Sequence, residues 1–270
     1  MVDLSNATFI IPIRIESSDR LRNVITSTAF LLENFDTNII IKEVDSESIF
    51  QRDALPVLKD ILDVDVEVHH IFEKSDEPLF HRQKVLNEMI VAADTEIVVN
   101  YDCDVLLPLD SYHEAYQSIL HHTHDVIYPY GQGMYQKQVK ATDGVVSQFL
   151  ETGDFKILDD HSVEHTSDFG WVQFFNRRVY IDGGMENENF KAYAPEDKER
   201  FYRFTTLGYN VGRVNNFVYH LEHSRGENSW FNNPFMQSNN DEWEKIQIMN
   251  KEKLIEYYLQ QDYLKKYNLF

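Results

Sequence analysis

The chain has 270 residues, of which 43% are hydrophobic, so it can fill the core of one large α/β domain or of two small ones. Its 45 acidic and 25 basic residues give a formal net charge of −20, which argues against general binding to nucleic acid or to an anionic membrane. A single cysteine excludes an internal disulfide, and no apolar stretch approaches the ~20 residues of a membrane span. Because no basic-then-apolar leader opens the sequence, we expect a cytoplasmic protein.

The first hundred residues alternate between short apolar runs and stretches with helical periodicity. The expected strands are residues 8–15, 38–44, 64–71 and 96–101, and the expected helices are residues 19–33, 51–62 and 80–93. Strands that alternate with helices in this way form βαβ units and a mostly parallel sheet. Continuous apolar runs at residues 9–11 and 39–41 indicate that helices cover both faces of that sheet.

The remainder of the chain has a less regular pattern. We predict helices over residues 110–122, 135–150 and 195–207, strands over residues 125–129 and 169–176, and one or two short strands over residues 211–219. Residues 240–267 are charged and carry apolar residues at helical spacing, which predicts a long helix packed on the sheet.

Two carboxylates follow the apolar run over residues 96–101, at a strand end where open α/β sheets bind their ligands. Asp102 and Asp104 point to the same side of an extended backbone, while Cys103 points away. Such a pair can hold a divalent cation that in turn binds the phosphates of a nucleotide, or can divide metal and ribose between them. A solvated turn explains the same tripeptide, and the tripeptide alone leaves these possibilities open.

Two histidines, His220 and His223, lie three residues apart after the last predicted strand. They can converge on one ion if the backbone turns, and imidazole together with carboxylate and phosphate oxygens favours Mn²⁺ over Mg²⁺. The alternative is a strand-end histidine followed by an ordinary surface histidine.

Pro195, Glu196 and Asp197 open the predicted helix over residues 195–207. Proline in a first turn and acids near the positive end of a helix dipole explain this tripeptide structurally. A carboxylate at this position could equally deprotonate an acceptor hydroxyl, and the residues do not choose between these interpretations.

Basic and aromatic side chains accompany the predicted ligand edge. Arginines there are natural counter-charges for a diphosphate in so acidic a chain, although a solvated helix face explains Arg22 as well. The basic candidates are Arg14, Arg20, Arg22, Arg82 and Lys84, and the aromatic candidates for stacking on a sugar are Tyr193, Trp230 and Phe231.

In this order, these pieces resemble the GT-A glycosyltransferases, in particular the inverting beta-1,4-galactosyltransferase family and its bacterial relatives. The resemblance covers about residues 9–234. Residues 12–14 are similar to the family's Pro-Phe-Arg, residues 80–87 to Phe-Asn-Arg-Ala-Lys-Leu-Leu-Asn, and residues 102–108 to Asp-Val-Asp-Leu-Ile-Pro with its proline slightly displaced. Residues 169–172 resemble Phe-Gly-Gly-Val, residues 196–197 the Glu-Asp of Gly-Gly-Glu-Asp-Asp-Asp, and residues 220–225 Met-Ile-Arg-His-Ser-Arg.

The resemblance implies a fold and an activity. The fold would be α/β of the GT-A type, a Rossmann-like nucleotide-diphospho-sugar transferase fold with a mostly parallel central sheet flanked by helices. Residues 1–240 would form one catalytic domain, with a nucleotide-binding half to residue 108 and an acceptor and metal half from residue 109, followed by a C-terminal helix over residues 241–270. The activity would be metal-dependent, inverting transfer of galactose, GalNAc or a similar sugar from a UDP-sugar to a glycan or lipid-linked glycan, as in polysaccharide biosynthesis, in the cytoplasm or at the inner membrane face.

The resemblance also implies residue roles. Asp104, His220 and His223 would hold Mn²⁺, or Mg²⁺ as the second choice, with His220 in place of the family's methionine. Asp197 would be the general base, and Glu196 a sugar-binding neighbour. The nucleotide would lie near Pro12, Arg14, Asp45, Phe80, Arg82, Asp102 and Cys103, with Phe80 stacked on uracil and Asp102 on the ribose, and the sugar or acceptor near Gly170, Trp171 and Tyr193.

Two departures from the family pattern bear on specificity. The family's Trp-Gly-Trp-Gly-Gly is here Lys-Ala-Tyr-Ala-Pro over residues 191–195, so Tyr193 takes the place of an aromatic residue and the loop is expected to be stiffer. Trp171 replaces a glycine, which leaves galactose itself open. A nucleotidyltransferase is an alternative, although no Gly-rich phosphate loop follows the first strand, and a non-catalytic sugar-binding protein of the same fold is another.

Overall fold

The structure, a computed structural model, describes residues 1–63, 66–226 and 233–267. Its strands are β1 (Val2–Ile13), β2 (Phe35–Asp45), β3 (His69–Lys74), β4 (Ile97–Tyr101), β5 (Val105–Leu106), β6 (Val126–Tyr128), β7 (Gly133–Val139), β8 (Ser162–Ser167), β9 (Val172–Asn176), β10 (Val211–Arg213) and β11 (Val218–Leu221). Its helices are α1 (Ser18–Asn34), α2 (Leu55–Leu62), α3 (Arg82–Ala92), α4 (Leu109–Leu120), α5 (Asp143–Thr152), α6 (Phe155–Asp160), α7 (Arg177–Asp182), α8 (Glu196–Leu207), α9 (Met236–Ile246), α10 (Lys251–Leu259) and α11 (Asp262–Lys266).

The central sheet of the described residues has seven strands in the order β10-β6-β9-β4-β1-β2-β3. All neighbouring strands run parallel except β9, which is antiparallel to both β4 and β6. The predicted α/β class with a mostly parallel sheet is therefore confirmed. Because β9 runs backwards, its first residues lie at the same edge as the last residues of β4, and Tyr101 pairs with Val172.

The core lies on both faces of this sheet. All five residues of β4 are inaccessible to solvent, as the continuous apolar run predicted. Phe9 of β1 packs edge-on against Tyr101 at 5.5 Å and against Phe174 of β9 at 5.9 Å between ring centres. The strands that end at the ligand edge are therefore anchored by close aromatic packing directly beneath that edge.

A second sheet of the described residues has the strand order β5-β11-β7-β8. It corrects the prediction of one helix over residues 135–150, because the segment divides into β7 and α5. Thr142 caps α5 by accepting a hydrogen bond from the backbone NH of Val145, so the helix cannot begin before that point. The residues upstream instead pair with β8 and β11, a long-range contact that helical periodicity does not reveal.

The C-terminal segment differs from the single helix predicted over residues 240–267. Within residues 233–267 the chain forms α9, α10 and α11, and Asn250 caps α10 by accepting from the NH of Lys253 at 3.1 Å. The segment packs on α8, where the Tyr202 hydroxyl donates to the Met249 carbonyl at 2.6 Å. Residue 240 falls inside α9, and the division of the chain into nucleotide and acceptor halves remains a prediction. None of the helices in the described ranges is long and apolar enough to span a membrane.

Candidate active site

The metal-ligating candidates meet where the two sheets join. Asp104 follows β4 and immediately precedes β5, and β5 pairs with β11 so that Val105 lies opposite His220. The Asp104 carbonyl accepts a hydrogen bond from the NH of Leu221 at 2.8 Å. This antiparallel pairing brings together residues that are more than a hundred positions apart in the chain.

Asp104, His220 and His223 form a compact cluster. The Asp104 Oδ2 lies 3.0 Å from His223 Nε2 and 3.7 Å from His220 Nε2. One ligand atom from each residue lies within 4.8 Å of the others, a spacing at which a single cation could contact all three. Of the two carboxylates in the tripeptide, this cluster includes Asp104 and does not include Asp102.

Both imidazoles are oriented through their other nitrogen. His220 Nδ1 lies 2.8 Å from Gln138 Oε1, and His223 Nδ1 lies 2.8 Å from the carbonyl oxygen of Ser224. In this orientation Gln138 Oε1 also accepts from Gln136 Nε2 at 3.0 Å. Each Nδ1 therefore donates its proton and each Nε2 is directed at the Asp104 carboxylate, as in histidines that bind metals.

The charges in the cluster support the same arrangement. Burial opposes ionisation of Asp104, but His220 and His223 hold its pKa well below the usual range. Burial lowers the pKa of His223, and the Asp104 carboxylate more than offsets that effect and raises it. A donor set of two imidazoles and one carboxylate fits a divalent transition metal such as Mn²⁺.

Asp102 is engaged elsewhere, with Arg82 of α3. Arg82 Nη2 donates to Asp102 Oδ1 at 2.5 Å and to Asn100 Oδ1 at 3.2 Å. Burial raises the pKa of Asp102, and the carboxylates of Asp104 and Asp197 raise it further, while Arg82 opposes them. The two carboxylates of the tripeptide thus have separate partners.

Asp197 lies in the first turn of α8, next to Glu196. Its Oδ1 accepts from Arg200 Nη1 at 2.7 Å, and its side chain is 31% exposed. A Cβ atom placed on Gly170 would lie 3.2 Å from Asp197 Oδ2, so the second carboxylate oxygen is directed towards the Gly170 backbone. One oxygen is therefore held in place, and the other faces the strand end.

Arg200 is held on its far side by Glu186. Its Nε and Nη2 donate to the two carboxylate oxygens of Glu186 at 2.6 and 2.7 Å, and both side chains are 1% exposed. This bidentate geometry fixes the guanidinium plane and, through it, the Asp197 carboxylate.

A strip of hydrogen bonds, which we call the edge strip, connects Asp102 to Asp197. Beyond the Arg82–Asn100 bond, Asn100 Nδ2 donates to Gln173 Oε1 at 3.0 Å, and Arg200 Nη1 donates to the same oxygen at 3.3 Å. The edge strip consists of Asp102, Arg82, Asn100, Gln173, Arg200 and Asp197. It crosses the neighbouring strands β4 and β9.

Glu196, at the first position of α8, is 5% exposed, and its Oε2 has no hydrogen-bond partner among the described residues. Burial, and then the neighbouring Asp197 carboxylate, raise the pKa of Glu196 to about 8. The side chain is therefore protonated near neutral pH and can donate a hydrogen bond as well as accept one.

Two of the proposed nucleotide residues, Arg14 and Asp45, line the same cleft. A cleft at the ends of β1, β2 and β3 is lined by Arg14, Glu16, Asp45, Ser46, Ser75, Asp76 and Glu77. Arg14 is held by the carbonyl oxygens of Val44 and Glu77, each at 2.9 Å, and its guanidinium lies 5.8 Å from the centre of the Phe80 ring.

Pro12 and Cys103 lie apart from this cleft. Pro12 is buried within β1 opposite Lys42. Cys103 packs against the core and accepts a hydrogen bond on its carbonyl oxygen from Ser27 of α1 at 2.8 Å, and burial raises the pKa of its thiol. The structure therefore does not bring these two side chains together with the other nucleotide candidates.

The backbone at Gly170 and Trp171 forms the turn into β9. Trp171 has a φ of 66°, in the left-handed region, and its carbonyl oxygen accepts from the NH of Asp102 at 2.9 Å. Its ring packs edge-on against Tyr130 at 5.5 Å, and the Tyr130 hydroxyl donates to the Gly170 carbonyl. A tryptophan in this conformation costs roughly 1–2 kcal/mol relative to glycine, so packing must hold it there.

Tyr193 lies on the open side of the site and is 43% exposed. Burial, followed by the nearby carboxylates of Asp197 and Glu196, raises the pKa of its hydroxyl. The other two aromatic candidates, Trp230 and Phe231, lie outside the described residues.

Sequence reasoning missed several residues that organise the site: Gln138, Asn100, Gln173, Glu186 and Arg200. Arg200 follows Asp197 at i+3 on a helix, a spacing at which opposite charges pair, and this signal was available. The others act across strands or between sheets, and their roles depend on contacts that only the fold creates.

No protein-family model matches the chain, and no curated protein matches it in a sequence comparison. Among solved structures it is similar to the mannosyltransferase PcManGT from Pyrobaculum calidifontis in complex with GDP-Man and Mn²⁺, at 15% identity and a TM-score of 0.52, over 82% of this chain and 58% of that one. It is also similar to Drosophila beta1,4galactosyltransferase 7 in complex with xylobiose, at 14% identity and a TM-score of 0.47, over 83% and 72% of the two chains. A third similar structure is S. aureus TarS 1–349, at 14% identity and a TM-score of 0.47, over 80% and 60%.

The likeness to the mannosyltransferase shows a shared fold and nothing finer. The chain spans less than two thirds of the length of the mannosyltransferase that it matches. The chain therefore has the GT-A glycosyltransferase fold that its motifs resemble.

Proposed function

We propose that this chain is a metal-dependent, inverting glycosyltransferase that moves a sugar from a UDP-sugar to a hydroxyl group of a glycan. The observation that carries the proposal is the convergence of Asp104, His220 and His223, two residues after Asp102, which the edge strip links to Asp197. A cation can neutralise the charge of a leaving nucleoside diphosphate, and a carboxylate can activate an acceptor hydroxyl, so these groups together support sugar transfer.

Asp104, His220 and His223 would hold the ion, and imidazole ligands favour Mn²⁺ over Mg²⁺. When bound, the ion would neutralise negative charge on the leaving diphosphate. Arg82 is fixed by Asp102 and Asn100, so it would supply a second positive charge in a set orientation.

The acceptor side depends on Asp197. Its Oδ1 is held by Arg200, which leaves Oδ2 to accept the proton of an acceptor hydroxyl as that oxygen attacks the anomeric carbon. Attack from the side opposite the diphosphate inverts the configuration without a covalent enzyme intermediate. Glu196, protonated near neutral pH, would donate a hydrogen bond to a sugar oxygen, and Tyr193 would supply an apolar face for stacking.

The nucleotide would occupy the cleft lined by Arg14 and Asp45. Asp45 accepts a hydrogen bond from the NH of Ser46 at 2.7 Å and can accept another from a ribose hydroxyl. Phe80 would stack on the base beside Arg14. We propose UDP as the nucleotide. GDP is the natural nucleotide to test beside UDP, because the similar mannosyltransferase was solved with GDP-Man.

Calorimetric titration of UDP and of GDP, each with Mn²⁺, Mg²⁺ or EDTA, tests the donor site. We expect UDP to bind only with a divalent ion, more tightly with Mn²⁺, and the His223→Ala variant to lose this binding. His165→Ala serves as the control, because His165 is an exposed residue of β8 outside the metal cluster. Binding that persists in EDTA would remove the histidines from the mechanism, and absence of nucleotide binding would refute the proposal.

Turnover with a panel of UDP-sugars and GDP-mannose tests the reaction itself. A sugar transferase releases the nucleoside diphosphate, whereas a nucleotidyltransferase releases pyrophosphate. The Asp197→Asn variant should bind UDP like the parent and lose most of its turnover, while a non-catalytic sugar-binding protein would show no turnover to lose. The anomeric configuration of the product, determined by NMR, decides between inversion and retention.

The destination of the sugar and the place of the reaction are part of the proposal. We propose galactose, GalNAc or a similar sugar as the group transferred and a glycan or lipid-linked glycan as the acceptor. We place the reaction in the cytoplasm, with peripheral contact to the inner membrane face when the acceptor is lipid-linked.

A further inference from the structure

The loop over residues 191–195, which we call the Tyr193 loop, has an unusual backbone. Ala192 and Ala194, on either side of Tyr193, have φ values of 61° and 55°, in the left-handed region. Each such residue costs roughly 1–2 kcal/mol unless it is glycine. Two of them in three positions indicate that other parts of the molecule hold the loop in this shape.

Two buried asparagines, Asn233 and Asn239, hold the loop in this shape through side-chain hydrogen bonds. Asn239 of α9 is fully buried, and its Nδ2 donates to the carbonyl oxygens of Lys191 and Ala194, both at 2.9 Å. Its Oδ1 accepts from the NH of Lys191 at 3.0 Å. Asn239 thus closes both ends of the Tyr193 loop with a single side chain.

Asn233 holds the middle of the loop. Its Nδ2 donates to the carbonyl of Tyr193 at 2.8 Å and to that of Lys191 at 3.1 Å, while its Oδ1 accepts from the NH of Phe235 at 2.9 Å. Because these carbonyl groups are turned inwards, leaving them without donors would add a desolvation cost to the backbone strain.

The Tyr193 loop leads directly into the site. Glu196 begins α8 immediately after Pro195, so the loop adjoins the helix that carries both Glu196 and Asp197. The Tyr193 ring is close enough to Asp102, Glu196 and Asp197 for all three carboxylates to affect the pKa of its hydroxyl. The position of Tyr193 therefore depends on residues that lie some forty positions downstream.

We propose that Asn239, assisted by Asn233, is a positioning residue that clamps the Tyr193 loop, so that α9 is part of the apparatus that binds the sugar. The role in sugar binding rests on the proposed function, whereas the clamp itself rests on the hydrogen bonds alone. Its consequence is a rim that is already formed before the sugar arrives, which lowers the ordering cost of binding.

Limited trypsin digestion tests the clamp independently of any activity. Lys191 is exposed, and its peptide bond to Ala192 lies inside the clamped segment. We expect the Asn239→Ala variant to be cleaved after Lys191 about tenfold faster than the parent, with a smaller increase for Asn233→Ala. Asn240→Ala, an exposed neighbour on α9, is the matched control, and cleavage after Lys198 within α8 reports general unfolding.

Equal cleavage after Lys191 in parent and Asn239→Ala would overturn the clamp. An increase after Lys191 and Lys198 in the same proportion would also overturn it, because the variant would then only have unfolded. If Asn239→Ala does not fold, Asn233→Ala decides the question on the same criteria.

Kinetics with the nucleotide sugar that the panel identifies tests the role of the clamp in the site. We expect Asn239→Ala to lower kcat/KM about ten- to a hundredfold while the Kd of UDP with Mn²⁺ stays within twofold. In a Tyr193→Ala background the same substitution should have little further effect, because its action runs through Tyr193. Additive losses would refute the positioning role, and the trypsin result stands even if no nucleotide sugar is turned over.

Discussion

Replacement of Glu186 by glutamine should strongly destabilise the protein, because it removes one charge from a buried ion pair and leaves the other. Arg200 and Glu186 are each 1% exposed and form two bonds, at 2.6 and 2.7 Å. In the variant, Arg200 retains its charge with Asp197, which is 31% exposed, as its remaining carboxylate partner among the described residues. Breaking a buried pair on one side costs about 3–5 kcal/mol.

The magnitude can be measured by urea unfolding at pH 7, with a matched control. A loss of 3–5 kcal/mol corresponds to a Tm lower by roughly 6–20 °C in a domain of this size. Glu47→Gln makes the same substitution in the Arg52–Glu47 pair, whose side chains are 53% and 62% exposed, and should leave the stability nearly unchanged. A loss below about 1 kcal/mol for Glu186→Gln, with an unchanged m value, would refute the reasoning.

The pH dependence of this loss supplies an internal check. Burial alone would raise the pKa of Glu186, but Arg200 and the Tyr180 hydroxyl hold it below its ordinary value. The pair therefore contributes fully above the unfolded pKa of about 4.3, and the contribution is lost as the pH falls through the folded pKa. The difference between parent and Glu186→Gln should shrink below about pH 4.

Three further predictions concern the site and its support. Gln138→Ala, which removes the acceptor that orients His220, should weaken Mn²⁺ binding about 10–100-fold in a calorimetric titration, and unchanged affinity would contradict the proposed orientation. Because the pKa of Glu196 is raised to about 8, its burial costs stability as the pH rises from about 4.3 towards 8; Glu196→Gln should therefore gain thermal stability relative to the parent at pH 9 and not at pH 4. Phe9→Ala, which empties the space against Tyr101, should cost about 3–5 kcal/mol in urea unfolding, and a cost below 1 kcal/mol would show that the core refills.

The strand ends that carry the site follow from local sequence patterns. The apolar run over residues 97–101 is buried on both faces, and a buried parallel strand has no polar face to interrupt such a run. The sequence proposes Asp104 and Asp197 as site residues because each lies close to the end or the start of a regular element. Candidate residues that depend on one strand or one helix can therefore be proposed from the sequence.

Contacts between distant segments could not be predicted from the sequence. The sequence predicts a helix over residues 135–150, although residues 135–139 form part of β7. Their pairing with β8 and β11 leaves no local signal in the sequence. The edge strip joins side chains from α3, β4, β9 and α8, and its members look like ordinary polar residues in sequence. Asn239 belongs to no sequence motif, and the backbone it holds is almost fifty residues away.

The edge strip fixes the spacing between Asp102 and Asp197. Asp102, on the side proposed for the nucleotide, and Asp197, on the side proposed for the acceptor, are spaced by side chains rooted in two hydrogen-bonded strands, and a sheet is the least deformable part of such a fold. Loops around the rim could therefore be exchanged to suit different acceptors without altering the distance over which a sugar would be handed across. A designer who wished to change that distance would have to alter the pairing of β4 with β9 rather than any loop.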